Sequence, residues 1–383
     1  MSHGNIDASA SFHCPRPRPY HLLLPPEIWL MILDDMDLGR STLRAARLTC
    51  HTFSDYAKTI LFRSFRLGIA VSSASLPHYI ERLAFWSSDP IAHLVKDCHV
   101  YVINNEIHSS PVLRAFFKYL PLFVNLLKLR CGHFSVSFNA CALRQISRLQ
   151  CLTDLVIENC SITAAQPTIP GIKLNNLTID HRMSFIHDTS DWWSVVQPDY
   201  LRRVQLCCLS HEDAAQQLNA LLLIMPIPNL RELTLRVQPS SINIRFLVHA
   251  PLLTSQIQIL NLGIYYPHPT ISSRGLPSGS VLMPLLREYV GPAHLLKIFI
   301  PGTSLRALKL DHTTPLIQAL HEFPQTFDNL EHLAFHFITI TTDTLNTICS
   351  RFVHLKSLWM EHLRLRLDGS ESTACSPPVS LPV

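Results

Sequence analysis

The sequence predicts an α/β solenoid preceded by a small helical module, and three observations carry that expectation. A short apolar pattern, Leu-x-x-Leu-x-Leu, keeps returning from Leu126 to Met360. The intervals between its copies hold helix-compatible or irregular segments, as a repeat that alternates strand and return requires. Ahead of the repeats lies one proline-started apolar stretch, Leu24-Pro25-Pro26-Glu27-Ile28-Trp29-Leu30-Met31-Ile32-Leu33. At 383 residues and 47% hydrophobic, the chain is long enough to bury one large core beside a smaller one.

Within the module, proline at the first helical positions costs no hydrogen bond and presets the backbone, so Leu24-Pro25-Pro26-Glu27 reads as a helix start. Ile28, Ile32, Leu33 and Met36 then share one face. Ser41 is placed to cap a second helix carrying Leu43, Ala46 and Arg47. A third runs from about Cys50 through Phe53, Tyr56, Ala57, Ile60 and Leu61. Three short helices in about forty residues make a weak core by themselves.

The repeats are read as Leu126-x-x-Leu129-x-Cys131, Leu152-x-x-Leu155-x-Ile157, Leu174-x-x-Leu177-x-Ile179, Leu201-x-x-Val204-x-Leu206 and Leu230-x-x-Leu233-x-Leu235. They continue as Ile257-x-x-Leu260-x-Leu262, Leu286-x-x-Tyr289-x-Gly291, Leu305-x-x-Leu308-x-Leu310, Leu330-x-x-Leu333-x-Phe335 and Leu355-x-x-Leu358-x-Met360. The mean period is about 25 residues, within the range of leucine-rich repeats. Each pattern reads as a strand whose second and third apolar residues point inward and whose intervening residues point out. Weaker copies at Phe62-x-x-Phe65-x-Leu67 and Val95-x-x-Cys98-x-Val100 start the solenoid directly where the helices end. His211 through Met225 is the clearest helical return. The Leu286 repeat, with Tyr289 and Gly291 in place of aliphatic residues, predicts a distortion or tightened turn.

The proline-started helix, followed by Leu48-Thr49-Cys50-His51-Thr52-Phe53, resembles the F-box, through which substrate receptors dock onto the Skp-family adaptor of a ubiquitin ligase. Thr49 and Phe53 stand where that family usually has valine and tryptophan. The order of F-box, Leu61-Phe62-Arg63-Ser64-Phe65-Arg66-Leu67 and irregular repeats resembles the F-box and leucine-rich-repeat proteins of mushroom-forming (basidiomycete) fungi. The resemblance implies a horseshoe of repeats behind a three-helix docking module, acting as the substrate-recognition subunit of an SCF-type ligase. It implies adaptor contacts by Leu24, Pro25, Pro26, Ile28, Trp29, Ile32, Leu33, Leu43, Leu48, Cys50 and Phe53, and through the adaptor a cullin ligase. A different reading stays open: an interaction scaffold whose F-box-like helices only cap the solenoid. A docking module leaves Leu24, Pro25, Ile28 and Ile32 partly exposed, whereas a cap buries them. The expected organisation is a disordered tail over 1–20, the helical module over 21–61, repeats over 62–367 and a disordered tail over 368–383.

Composition narrows the partners. Net charge is +4 from 32 basic and 28 acidic residues, too near balance to argue for nucleic acid. Eleven cysteines at irregular spacing, with no Cys-x-x-Cys pair, indicate neither a disulfide framework nor a zinc cage, so reduced thiols in the cytosol or nucleus are expected. The longest aliphatic run, Ala220 to Met225, is stopped by Pro226 far short of a membrane span, and no signal-like succession opens the chain.

Candidate chemistry reduces to structure at each place. His332 and His336 lie on a strand, where four residues span about 13 Å, too far apart for one small ion. His211-Glu212-Asp213 opens a helix, where acids meet the positive end of the dipole. Cys207-Cys208 has no positioned base and reads as apolar filler. With no Gly-x-Ser-x-Gly, phosphate loop or dinucleotide fingerprint, the expectation is a non-enzyme with no cofactor and no metal.

What remains is the outward face of the strands, including Lys128, Arg130, Asp154, Glu158, Asp180, Arg203, Glu232 and Arg236. The C-terminal repeats, with Lys309, His332, His336, Trp359 and Glu361, are the expected target patch, Trp359 being the aromatic anchor. The alternative for Trp359 is packing under the C-terminal tail as a cap. Mixed charge favours a protein or peptide target over a polyanion.

Overall fold

The computed structural model describes residues 24–35, 39–69, 76–102, 110–132, 138–162, 171–181, 192–208, 227–237, 255–264, 281–297, 299–301, 304–310, 327, 329–337, 341–362 and 379–382. The expected 1–20 tail, Met36 and the His211–Met225 return lie outside these. The chain divides into two compact units, 1–64 and 65–383. Among the described residues no helix is long and apolar enough to cross a membrane.

The first unit holds α1 (Pro26–Asp35), α2 (Arg40–Ala46) and α3 (His51–Leu61). The Pro25 carbonyl accepts the N–H of Ile28 at 3.1 Å and of Trp29 at 3.3 Å, which puts Pro26 at the first helical position, where its missing N–H is harmless. Ser41 does not cap α2. Gly39 does, without a side-chain bond, its carbonyl accepting from Thr42 and Leu43, so Ser41 falls inside the first turn. Cys50 precedes α3 in extended backbone and accepts from Ser54 at 2.9 Å. Thr49 is exposed and its hydroxyl donates to the Ala46 carbonyl at 2.7 Å, so its polarity costs nothing. Phe53 meets the Trp29 ring edge-on at 5.1 Å. Arg63 donates to both oxygens of Asp34, at 2.8 and 2.7 Å; with both side chains half exposed this contributes at most about 1 kcal/mol.

The second unit is built on β1 (Ser64–Ile69), β2 (Asp97–Val102), β3 (Lys128–Gly132), β4 (Asp154–Glu158), β5 (Asn176–His181), β6 (Arg203–Cys208), β7 (Glu232–Val237) and β8 (Ile259–Ile264). Then come β9 (Val281–Met283), β10 (Glu288–Gly291), β11 (Phe299–Pro301), β12 (Ala307–Leu310), β13 (His332–Phe337), β14 (Ser357–His362) and β15 (Val379–Pro382). All but β9 and β11 form one sheet in chain order, the repeat strands from β2 to β14 pairing in parallel.

The register aligns the repeat pattern with itself: Leu129, Leu155, Leu177, Val204, Leu233, Leu260, Tyr289, Leu308, Leu333 and Leu358 form one cross-strand row. All are buried, as are Leu126, Leu152, Leu174, Leu201 and Leu230 ahead of them. Burying one such aliphatic side chain contributes about 1.5–3 kcal/mol, so three per repeat, stacked on three from the next, stabilise the solenoid from within.

Returns in the early repeats are helical: α4 (Leu76–Trp86), α5 (Asp89–Ala92), α6 (Ser110–Tyr119), α7 (Ala140–Ser147) and α8 (Trp192–Val195). Asn139 caps α7, its side-chain oxygen accepting from Ala142 N–H at 2.9 Å. Trp192 is fully buried, donates to the Cys160 carbonyl at 3.1 Å and packs on Phe138, which in turn meets Phe117. Near the C-terminus α9 (Thr342–Arg351) fills the same role.

The Leu286 repeat is tightened, as expected. Tyr289 replaces an aliphatic core residue and is fully buried, its hydroxyl donating to the Pro292 carbonyl at 2.8 Å. Gly291 has φ +155°, and a side chain there would meet Tyr289 Oη at 2.9 Å and Leu262 Cβ at 3.0 Å. The flanking segments supply β9 and β11, paired in parallel as a second small sheet, with a short 3-10 helix, Ala293–Lys297, between β10 and β11. The expected disorder of 368–383 is corrected in part: Val379–Pro382 forms β15, antiparallel to β14, because the last parallel strand leaves a row of backbone groups to pair.

Candidate binding surfaces

On the helical module, Leu24 is 39%, Ile28 38%, Met31 65% and Leu48 88% exposed, and Pro25 is exposed. Trp29, Ile32, Leu33, Cys50 and Phe53 are half-buried and Leu43 is buried; Pro26 starts α1, its side chain outside the described set. Ile28 and Met31, one turn apart, make an apolar strip with Leu24 ahead of them. Met31 was not among the expected contacts, although its spacing of three from Ile28 is legible in the sequence.

On the sheet, the outward rows are largely self-paired toward the N-terminal side. One row runs Asp97, Lys128, Asp154, Asn176, Arg203 and Glu232 across adjacent strands. Asn176 donates to Asp154 at 2.7 Å and Arg203 pairs with Glu232, a cross-strand complementarity that stabilises neighbouring strands. Arg130 donates through Nε to Glu158 at 2.9 Å. Asp180 departs from the expected outward exposure and is buried. Asn159, at φ +50°, donates its N–H to the Asp180 carbonyl, so the chain leaving β4 turns over the end of β5.

Two aromatics beside this row were not anticipated. The His99 and Tyr101 rings lie 4.8 Å apart, and the Tyr101 ring crosses Gly68 so closely that a Cβ there would be 2.8 Å from it. Burial, and then the Arg130 guanidinium, hold the His99 pKa below its usual range, keeping the ring neutral near pH 7.

In the expected target patch, Lys309, His332, Trp359 and Glu361 are all exposed. Ala334 separates Lys309 from Trp359 in the register and Ser380 of β15 lies opposite Trp359, so small neighbours leave its ring 42% exposed. His332 Nδ1 is 2.7 Å from the Ser357 hydroxyl. Glu331 accepts from Lys356 at 2.9 Å, and that bond holds its carboxyl below the usual range. His336 is placed opposite Glu361 on the neighbouring strand, its side chain outside the described set.

Among the described residues no group of three or more metal-ligating side chains converges. Burial pushes the Cys98 and Cys131 thiols up, holding them as neutral core filler, and Cys207 is likewise buried. One further feature escaped the sequence reading. Leu-Arg recurs at 201–202, 230–231, 286–287 and 305–306, each time placing an exposed arginine just before a strand.

No family profile matches the chain, and no curated protein matches it. Among solved structures, the yeast complex of Rad7 and Elc1 aligns at 14% identity over 87% of this chain and 86% of that one, with a TM-score of 0.35. A complex of TLR13 with ssRNA13 aligns at 12% identity over 76% of this chain and 54% of that one, with a TM-score of 0.29.

Proposed function

We propose that this chain is the substrate-recognition subunit of an SCF-type ubiquitin ligase. Its F-box-like helices dock a Skp-family adaptor and, through it, a cullin ligase, while the repeats hold a target protein. The observation that carries the reading is the apolar strip of Leu24, Ile28 and Met31, with Leu48 beyond it, left open on a module whose described residues include few buried ones. A partner that covers the strip supplies the burial the helices lack. The chain performs no chemistry itself: holding target lysines near a charged ubiquitin carrier turns an encounter into a local transfer. The buried thiols of Cys98 and Cys131 fit work in the cytosol or nucleus. On the target side, Lys309, His332, His336, Trp359 and Glu361 offer an aromatic anchor among mixed polar groups.

The test is capture of purified Skp-family adaptor by the full chain and by its Leu24→Ser, Ile28→Ser, Met31→Ser variant. Binding by the parent and its loss in a variant of unchanged melting temperature is the expected outcome. Absence of binding by the parent chain would return the module to the role of a cap on an interaction scaffold.

A further inference from the structure

One stretch of a row of the repeat sheet carries charge of a single sign. The residue following the first leucine or isoleucine of each pattern donates its N–H to its counterpart in the preceding repeat: Arg231 to the Arg202 carbonyl at 2.8 Å, Gln258 to Arg231 at 2.7 Å, Arg287 to Gln258 at 2.7 Å and Arg306 to Arg287 at 2.8 Å. These bonds make Arg202, Arg231, Gln258, Arg287 and Arg306 consecutive members of one row, on the rim where the parallel strands begin. Neighbouring members are about 4.8 Å apart along the sheet, so the row from Arg202 to Arg306 covers about 19 Å.

All four arginines are exposed. Among the described residues, no side-chain hydrogen bond or ion pair engages Arg202, Arg231 or Arg287, and Arg306 has only the field of Glu331, which Lys356 already holds. Like charges on adjacent strands repel. The nearby carboxylates offset them in part: Asp199, Glu288 and Glu232, the last taken by Arg203. Lys173, over the Tyr200 ring at 5.2 Å, adds another cation. The same row, fixed by the same backbone bonds, is Lys96, Leu127, Thr153 and Asn175 in the earlier repeats and Glu331 and Lys356 in the later ones. The single-sign stretch is therefore a property of these repeats and not of the fold.

We infer that this rim docks an extended acidic segment of the target protein, its carboxylates or phosphates received by the guanidinium forks. The inference rests on reading the repeats as the target-holding part of the chain. At about 3.3 Å per residue, 19 Å matches a stretch of about six residues. Tyr200 and Leu285, exposed at 44% and 48% and each two residues ahead of a rim arginine, give such a peptide apolar contact beside its charges. Planar bidentate recognition of carboxylate and phosphate is what exposed guanidinium groups do best.

The experiment uses the full chain and fluorescence anisotropy with two labelled peptides, one containing six glutamates and one with phosphoserines at alternate positions of the same stretch. A glycine-serine peptide and oligothymidine serve as comparisons. Replacing Arg202, Arg231, Arg287 and Arg306 together with glutamine is expected to weaken acidic-peptide binding by about tenfold or more and to flatten its salt dependence. Removing the same charge elsewhere, as Arg66→Gln, Arg114→Gln, Lys118→Gln and Arg144→Gln, is expected to change it by less than about threefold. Preference between the two peptides tells carboxylate from phosphate recognition. Equal losses in both variants, no binding of either acidic peptide by the parent chain, or tighter binding of oligothymidine would each overturn the assignment. Adaptor capture by the rim variant is measured alongside: its retention when peptide binding is lost separates the rim from the ligase reading, and its absence in the parent chain fails that reading while leaving the peptide result standing.

Discussion

Among its described residues the helical module buries two hydrophobic side chains, Leu43 and Ala57, whereas a single repeat such as Leu152-x-x-Leu155-x-Ile157 buries three. The repeat gains its burial from the repeats before and after it, with pairing that locks each row to the next. The module has three short helices, edge contacts such as Trp29 on Phe53, and a surface ion pair between Asp34 and Arg63. Stability in the solenoid is thus distributed and internal, while the module leaves large apolar groups in water. The difference teaches where each unit's sequence is constrained: in the repeats by the core, in the module by whatever covers it.

The strongest way to break this comparison is to charge the repeat core. Leu155→Asp is expected to abolish cooperative unfolding of the repeat unit, since an unpaired carboxylate in place of a fully buried leucine costs upwards of about 4 kcal/mol. A melting curve like that of the parent would show the register to be wrong. Next in size is Gly291→Ala, which combines a left-handed backbone with a close approach to Leu262; a loss of about 1–3 kcal/mol in chemical denaturation is expected. By contrast, Leu24→Ser with Ile28→Ser and Met31→Ser is expected to leave stability within about 1 kcal/mol while removing adaptor capture. A large destabilisation by that variant would mean the strip is core. Smaller still is Thr234→Ser on the outward face, expected within about 0.5 kcal/mol of the parent.

The last prediction concerns pH. His99 has its pKa lowered in the folded chain, chiefly by burial, so the unfolded state binds more protons below about pH 6.5. Its contribution is therefore fully present above that pH and declines as pH falls from there toward the folded value. NMR titration should find the His99 midpoint below the ordinary histidine value, and His99→Gln should reduce the acid sensitivity of melting slightly. A His99 that titrates at or above the ordinary value would contradict the burial argument.

The sequence by itself determined the strand rows, because Leu-x-x-Leu-x-Leu at a period near 25 admits one alignment that keeps every copy in register. It determined the helix start at Pro26 for the same local reason, a residue whose chemistry fits one place in a helix. It located the odd repeat, since Tyr289 and Gly291 break the aliphatic pattern. What depended on tertiary structure was which side chains meet across strands. The Ser41 cap failed because Gly39 caps α2 two residues earlier, a boundary set by backbone geometry more than by propensity. Asp180 looked outward by alternation, yet it is buried, and its carbonyl accepts the N–H of Asn159 where the chain turns. The arginine rim was written in the chain as four Leu-Arg pairs, 29, 56 and 19 residues apart. They become one surface only when the sheet brings successive repeats to about 4.8 Å, because electrostatic repulsion and recognition depend on distance in space and not along the chain.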